Sequence, residues 1–518
     1  MKKFLISVWL VVAMMVLAGI VSSAELLSVN AVGDSSGDDA SELDENDSTL
    51  RFGTYVVFTS DATDLTAVPN PLGTGNVYRR NTVTRVTEMV SVNHAGTAAG
   101  NQNSGAARMS SDGRYVFFDS GADDLVAVRP PGGITNVFVR DMVTGVTSPV
   151  SVNLSGNSGS DESRLSDVSP DGRYVVFNSD ADDLTAETDI NDSRDVFVRD
   201  LVAGTTILVS VDTSGTSTGD SQASDGSITP DGRYVFFHAT ASNLVPVDTN
   251  NDNDAFRRDM LTATTELVSV NLAGTDSANS YSYSAYLSDD GNVAVFESDG
   301  DDLTAIPDGN ATVDFFVRDM AAGVTTMITT NSAGTAAANG YSSETESGMS
   351  PDGRFISFTS GSTDLHPLDT DSEDDIFVHN RQTGVNTLVS VNVDGTGSGN
   401  DWAGDGSISG DGQWFGFSSG SSNLVHNDSN GQADVFVRDL VNDRTYLVSR
   451  TPVGVGGAGG SYAGLLSSDS KWIFFDSEAD DLSPLDGNLA ADVFRAPVPI
   501  FADGFEAGDL SWWDETVP

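Results

Sequence analysis

A turn that returns at a nearly constant interval constrains this chain more than any other feature. Gly113, Gly172, Gly232, Gly291, Gly353 and Gly412 each follow an aspartate and stand about 60 residues apart, and Gly53 and Ser470 hold the same place in the first and last copies. Spacing of that size marks a repeat architecture, in which each unit buries its apolar faces only by stacking on its neighbours. The 518 residues therefore read as one array and not as several independent domains.

Each copy holds four strand signals. After the turn comes a run apolar on both faces, such as Tyr174-Val-Val-Phe177 or Tyr234-Val-Phe-Phe237, which suits a strand covered on both sides. A second run reads Asp195-Val-Phe-Val-Arg199 or Asp434-Val-Phe-Val-Arg438. A third, Leu267-Val-Ser-Val270 or Leu388-Val-Ser-Val391, alternates like a half-exposed outer strand. The fourth precedes the turn and is rich in small residues, as in Ser163-Arg-Leu-Ser-Asp-Val-Ser169, which fits the crowded axis of a ring. The expected fold is all-β: an eight-bladed β-propeller of four-stranded antiparallel blades.

The ends predict closure. The chain starts, after an apolar leader, with an isolated outer strand at Leu26-Leu-Ser-Val29, and the last copy stops after Asp492-Val-Phe494 without one. The N-terminal strand is expected to close the last blade, removing the open edge. The Ser-Pro-Asp-Gly-Arg-Tyr-Val-Val-Phe run beginning at Ser169, followed by Asp195-Val-Phe-Val-Arg-Asp200, resembles the WD40-like repeats of TolB-type propellers over about residues 25–497. The resemblance implies a propeller that serves as a binding platform or as the propeller part of some peptidases.

The N-terminus reads as a signal peptide over residues 1–24: Lys2 and Lys3, an apolar stretch from Phe4 to Val21, then Ser22, Ser23 and Ala24. A secreted or periplasmic protein of a bacterial envelope is expected, with no membrane insertion after cleavage. The propeller is expected over 25–497 and a separate tail over 498–518. Cysteine is absent, which leaves no thiol nucleophile and no disulfide framework. The formal charge of −51 repels nucleic acid and attracts cations.

One long loop repeats an acidic pattern: Asp189/Asn191/Asp195, Asp248/Asn250/Asp252/Asp254, Asp308/Asn310/Asp314, Asp369/Asp371/Asp375, Asp428/Asn430/Asp434 and Asp486/Asn488/Asp492. Oxygen ligands at such spacing suit calcium; the competing reading is a set of Asx-turns that bond their own backbone. The arginine after Val-Phe-Val is expected in salt bridges. Asp225, Glu346 and Asp405 fall on innermost strands and face the central channel or its rim. Gly215-Thr-Ser-Thr-Gly219 mimics a hydrolase elbow without the helix that motif needs. The five histidines occupy no fixed repeat position. The chain is accordingly expected to be a monomeric, non-enzymatic platform for a protein or polysaccharide partner, with no catalytic residues. The alternative is a polysaccharide-active propeller enzyme, a glycosidase or a lyase.

Overall fold

A computed structural model describes residues 24–43, 53–128, 130 and 133–499. The expected signal segment up to residue 23 and the tail from residue 500 lie outside the described residues. All regular structure described is β. Eight blades of four antiparallel strands surround a central channel. Blade four is typical, running outward through Ala223–Ile228, Tyr234–Ala239, Asp254–Asp259 and Thr264–Leu267. Blades six and seven also touch through one parallel pairing, Ser347 with Ser407.

The ring closes as the complementary ends require. Glu25 pairs with Arg495 and Leu26 with Phe494, and the Leu27 N–H donates to Val493 at 2.7 Å. Leu26 and Phe494 are buried in one apolar cluster with Trp414 and Ile473. The Glu25 carboxylate receives both Nε and Nη2 of Arg495, at 2.9 and 2.6 Å. The first and last described segments are thus held in one blade by ladder, packing and charge together.

The runs after each turn are double-sided because each blade is packed between two others. Phe177 stacks on Phe197 at 5.6 Å within its blade, and the same pairing recurs at Phe237/Phe256 and Phe475/Phe494. Removing one such ring from water is worth about 1.5–3 kcal/mol, which makes these columns the main cohesive element. The Asp-Gly turns are structural. Ser169 Oγ donates to Asp171, the Arg173 and Tyr174 N–H groups return to Asp171 and Ser169, and Gly172 sits at φ 70°. Glycine is needed at Gly232 for a second reason: a Cβ there would lie 2.2 Å from the Tyr174 ring of the preceding blade.

Two expectations change. The outermost strands end at the leucine of Leu-Val-Ser-Val, as at Thr264–Leu267, and Val268 and Ser269 are fully buried. The chain folds back over the blade edge there, because the serine hydroxyl is required inside. The Val-Phe-Val arginines form hydrogen bonds to threonine on the outermost strand, such as Arg199 to Thr206 at 3.0 Å and Arg318 to Thr325 at 2.8 Å, and Arg438 also makes the expected ion pair, with Asp443 at 3.4 Å. The recurrent ion pairs instead join the turn arginine to the aspartate ending the third strand: Arg114–Asp141, Arg173–Asp200 and Arg233–Asp259. These arginines lie on their neighbouring aromatic ring, Arg173 at 4.6 Å from the Tyr174 centroid, which fixes the guanidinium for the carboxylate.

Candidate functional site

The second strand of each blade carries one polar residue directly after its last phenylalanine: Asp119, Asn178, His238, Glu297, Thr359, Ser418 and Asp476, with Thr59 in the first blade. This position lies at the end of the channel where the long loops emerge. Thr59, Thr359 and Ser418 bond the innermost strand of their own blade, whereas longer side chains reach the innermost strand of the next. Asp119 accepts the Leu165 N–H at 2.7 Å, and Asp476 accepts the Leu43 N–H at 3.0 Å. In those blades the residue clamps neighbours together.

Blade four differs. His238 Nδ1 lies 3.2 Å from Ser284 Oγ of blade five, and His238 Nε2 lies 3.6 Å from the Asp225 carboxylate of its own blade. The innermost strand bulges between Ser224 and Ser227, with Asp225 at φ 55°. The bulge belongs to the repeat, with Ala106 and Ala463 at positive φ in the equivalent places of blades two and eight, and in blade four it re-aims an aspartate. Asp405 sits at the equivalent bulge of blade seven, at φ 44°; the side chain of Glu346 lies outside the description. Burial holds the His238 imidazole below its ordinary pKa, with the Asp225 charge opposing. A neutral ring can offer an Nδ1 lone pair to the Ser284 hydroxyl, while Nε2 faces the Asp225 carboxylate at ion-pair distance. Tyr283 meets His238 edge-on, with ring centroids 5.3 Å apart.

Next to this chain, Glu297 is pushed up to about 7 by burial first and by the Glu344 charge second, and its Oε1 is buried without a partner. The rim is aromatic. Tyr281, Tyr283, Tyr341 and Tyr462 are large exposed rings at the long-loop ends of the innermost strands. A cavity of about 1120 Å³ opens at the channel on the opposite wall, bounded by Asp119, Arg164, Tyr462 and Asp476. It gives the mouth room for a ligand, but it does not include His238.

The acidic loops form a separate ring at the start of each third strand. Asp195, Asp254, Asp314, Asp375, Asp434 and Asp492 are all buried. Each accepts a hydroxyl proton, from Ser210, Ser269, Thr329, Ser390, Ser449 and Ser28 respectively. Burial is the first cause that raises these carboxyls, to about 7 at Asp195, Asp254, Asp314 and Asp434 and about 8 at Asp375 and Asp492. Asp189, Asp248, Asp308, Asp428 and Asp486 open the same loops, and Asp248 is pushed up to about 6, burial leading. Asp252 donates its N–H to Asn250 Oδ1 at 2.8 Å.

The asparagines are interblade clamps. Asn191 Nδ2 donates to Gly219, Asn250 to Ala278, Asn310 to Ala338, Asn430 to Gly457 and Asn488 to Gly37, at 2.7–3.0 Å. Only Asp369, Asp371 and Asp375 bring three carboxylates together among the described residues, with oxygens all within 4.8 Å of one another. The loops are therefore Asx-turns in part, as Asn191 to Asp189 shows, and one of them is a cluster that could hold a metal ion.

Comparison with solved structures adds the fold relationship. TolB from Agrobacterium tumefaciens aligns at 17% identity and TM-score 0.30, over 56% of this chain and 79% of that one, and TolB from Acinetobacter baumannii is also similar. No family model and no curated protein matches the chain. A prolyl endopeptidase aligns at 13% identity and TM-score 0.47, over 88% of this chain; the chain spans 55% of that protein's length. An oligogalacturonate lyase in complex with manganese aligns at 14% identity and TM-score 0.41, over 76% of this chain and 88% of that one.

The expectation of a non-enzymatic chain is corrected on these findings. The similar propellers include a prolyl endopeptidase, a dipeptidyl peptidase, a lyase and a puromycin hydrolase. Sequence reasoning passed over His238, Tyr283, Ser284 and Glu297 because it looked for residues that recur. The usable signal was the opposite: a variable polar position inside an otherwise repeated apolar run. No helix of the described residues is long and apolar enough to cross a membrane.

Proposed function

We propose that this protein is a polysaccharide-active enzyme, exported through its N-terminal segment, that hydrolyses an acyl ester on a glycan at the long-loop mouth of its channel. The observation that carries this reading is His238 held between Ser284 and Asp225. Neutral His238 takes the Ser284 Oγ proton at Nδ1 as the hydroxyl attacks the acyl carbon. It then gives that proton to the departing sugar oxygen, and water releases the acid by the same route reversed. The Asp225 carboxylate, 3.6 Å from Nε2, stabilises the imidazolium that forms. The aromatic rim supports a glycan, since sugar rings present apolar C–H faces to exposed tyrosines. The formal charge of −51 favours a neutral or basic chain over a polyanion.

A second reading, cleavage of the glycosidic bond itself, is favoured by Glu297, a carboxyl near neutral pKa beside Glu344. Incubating the protein with acetylated and deacetylated glycans separates the two. Acetate release abolished in Ser284→Ala and His238→Ala, with no new reducing ends, supports ester hydrolysis. New reducing ends lost in Glu297→Gln support glycoside cleavage. Turnover of peptides but of no glycan would overturn the substrate class.

A further inference from the structure

The acidic loop that leads into the third strand of blade six departs from its copies at the residue that reaches toward the next blade. Five loops have asparagine at the third position and this one has Asp371. In three of the copies the amide nitrogen spans two acceptors, whereas Asn250 and Asn488 donate to the next blade's carbonyl. Asn310 Nδ2 donates to Asp314 at 3.1 Å and to the Ala338 carbonyl at 2.8 Å. Asn430 Nδ2 donates to Asp434 at 2.7 Å and to Gly457 at 2.8 Å. One amide thereby neutralises the strand-start carboxylate and ties it to the next blade.

Asp371 has no proton to donate. Its Oδ1 accepts the Glu373 N–H at 3.1 Å and its Oδ2 accepts the Ser398 hydroxyl at 3.0 Å. Buried carboxylate oxygens without partners occur here as they do at Asp486 and Asp492; what sets this loop apart is a third carboxylate beside them where the copies have an amide. Asp369 is 1% exposed, and neither of its carboxylate oxygens has a partner; Asp375, also 1% exposed, keeps Oδ2 unpartnered. Three carboxylates with mutually close oxygens and three orphaned buried acceptors cannot all stay charged in a protein interior without a compensating cation.

We propose that Asp369, Asp371 and Asp375 form a single calcium site between blades six and seven, and that the five asparagine-bearing loops are metal-free clamps. The donor set is all hard oxygen, with Ser398 Oγ at its edge and no sulfur or imidazole, which selects calcium, magnesium or manganese over zinc. Calcium is the best match because Asp369 is closed to solvent. Magnesium dehydrates reluctantly and keeps several waters, whereas calcium accepts a flexible cage of protein oxygens. The cation takes over the work of the absent amide: it joins the carboxylates of blade six at the seam where Ser398 of blade seven enters. This narrows the sequence expectation from six calcium loops to one.

The test is calorimetric titration of calcium chloride into chelator-treated full-length protein, with magnesium and manganese as parallel titrants at constant ionic strength. A single calcium per chain is expected, with a Kd in the range of about 10⁻⁴ to 10⁻³ M that extracellular sites show, and weaker magnesium. Asp371→Asn restores the residue found in the other loops, so it should fold; it should lose the binding heat and melt in chelator no lower than the wild type. Asp369→Asn should lose the heat as well. No heat from the wild type with any of the three ions, several calcium ions per chain, or undiminished binding by Asp371→Asn would each overturn the proposal.

Discussion

Replacing Ser269 by alanine isolates what the buried acids cost and what holds them. Ser269 is fully buried. Its hydroxyl donates to Asp254 Oδ1 at 2.6 Å and accepts the Ala255 N–H at 3.1 Å, while Asp254 Oδ2 already lacks a partner. The first blade offers an internal control, since Ser91 makes the same two bonds to a neutral partner: it donates to Asn76 at 2.7 Å and accepts the Val77 N–H at 3.0 Å. A bond to a charged group is worth about 1.5–3 kcal/mol, one between neutral groups about 0.5–1.5, and an orphaned buried donor costs about 1–3. Ser269→Ala should therefore destabilise by about 3–5 kcal/mol when Asp254 is ionised, and Ser91→Ala by roughly 2–3 kcal/mol, on the same scale.

The difference must depend on pH. Asp254 sits at about 7, raised by burial first, so at pH 5 it is neutral in the native state and the two serines face similar acceptors. At pH 8.5 it is ionised and the gap opens. Urea midpoints of the wild type and both variants at the two pH values, in chelator, measure this. Equal losses at pH 8.5, or a Ser269→Ala loss unchanged between pH 5 and 8.5, would refute the claim that these hydroxyls work chiefly by stabilising buried carboxylates.

Further outcomes follow from the same geometry. The strand-start aspartates have folded pKa values of about 7–8 against an ordinary value of 3.8. Their stabilising contribution is thus complete below the unfolded value and lost as pH rises through 7–8: Tm in chelator should be higher at pH 5 than at pH 8.5, and a Tm that rises over that interval would contradict the burial reading. Leu26→Asp puts a charge into the closing blade, where Leu26 is 4% exposed; it should cost at least the roughly 2–5 kcal/mol of a core truncation and expose the N-terminal strand to protease, whereas Leu154→Asp, at a position 71% exposed, should do neither. Gly232→Ala meets both a φ of 73° and the Tyr174 ring at 2.2 Å, while Gly215→Ala meets only a φ of 72° with nothing within 4 Å. The first should lower Tm clearly more, by an added ~1–3 kcal/mol of overpacking; equal shifts would mean the turn glycines serve conformation alone.

The sequence by itself determined the ring. A repeat of about 60 residues with double-sided apolar runs can satisfy those faces only by stacking like on like, and an orphan strand at one end with a gap at the other leaves one closure. Those are statements about periodicity and count, which a linear string carries in full. The turn aspartates were legible for the same reason, since Ser169, Asp171 and Gly172 interact within four residues of one another. The tertiary structure alone decided the site. His238 meets Ser284 across a blade boundary, 46 residues away, and Asp225 reaches the ring only because its strand bulges. The fate of the acidic loops was decided the same way. In the string Asn310 and Asp371 are interchangeable oxygen ligands; in the ring the asparagine amide finds the next blade's carbonyl, and the aspartate instead completes a group of three close carboxylates. A repeat encodes its own packing locally, but a ligand-binding group is defined by what the neighbouring blade places opposite it, and that depends on three-dimensional register.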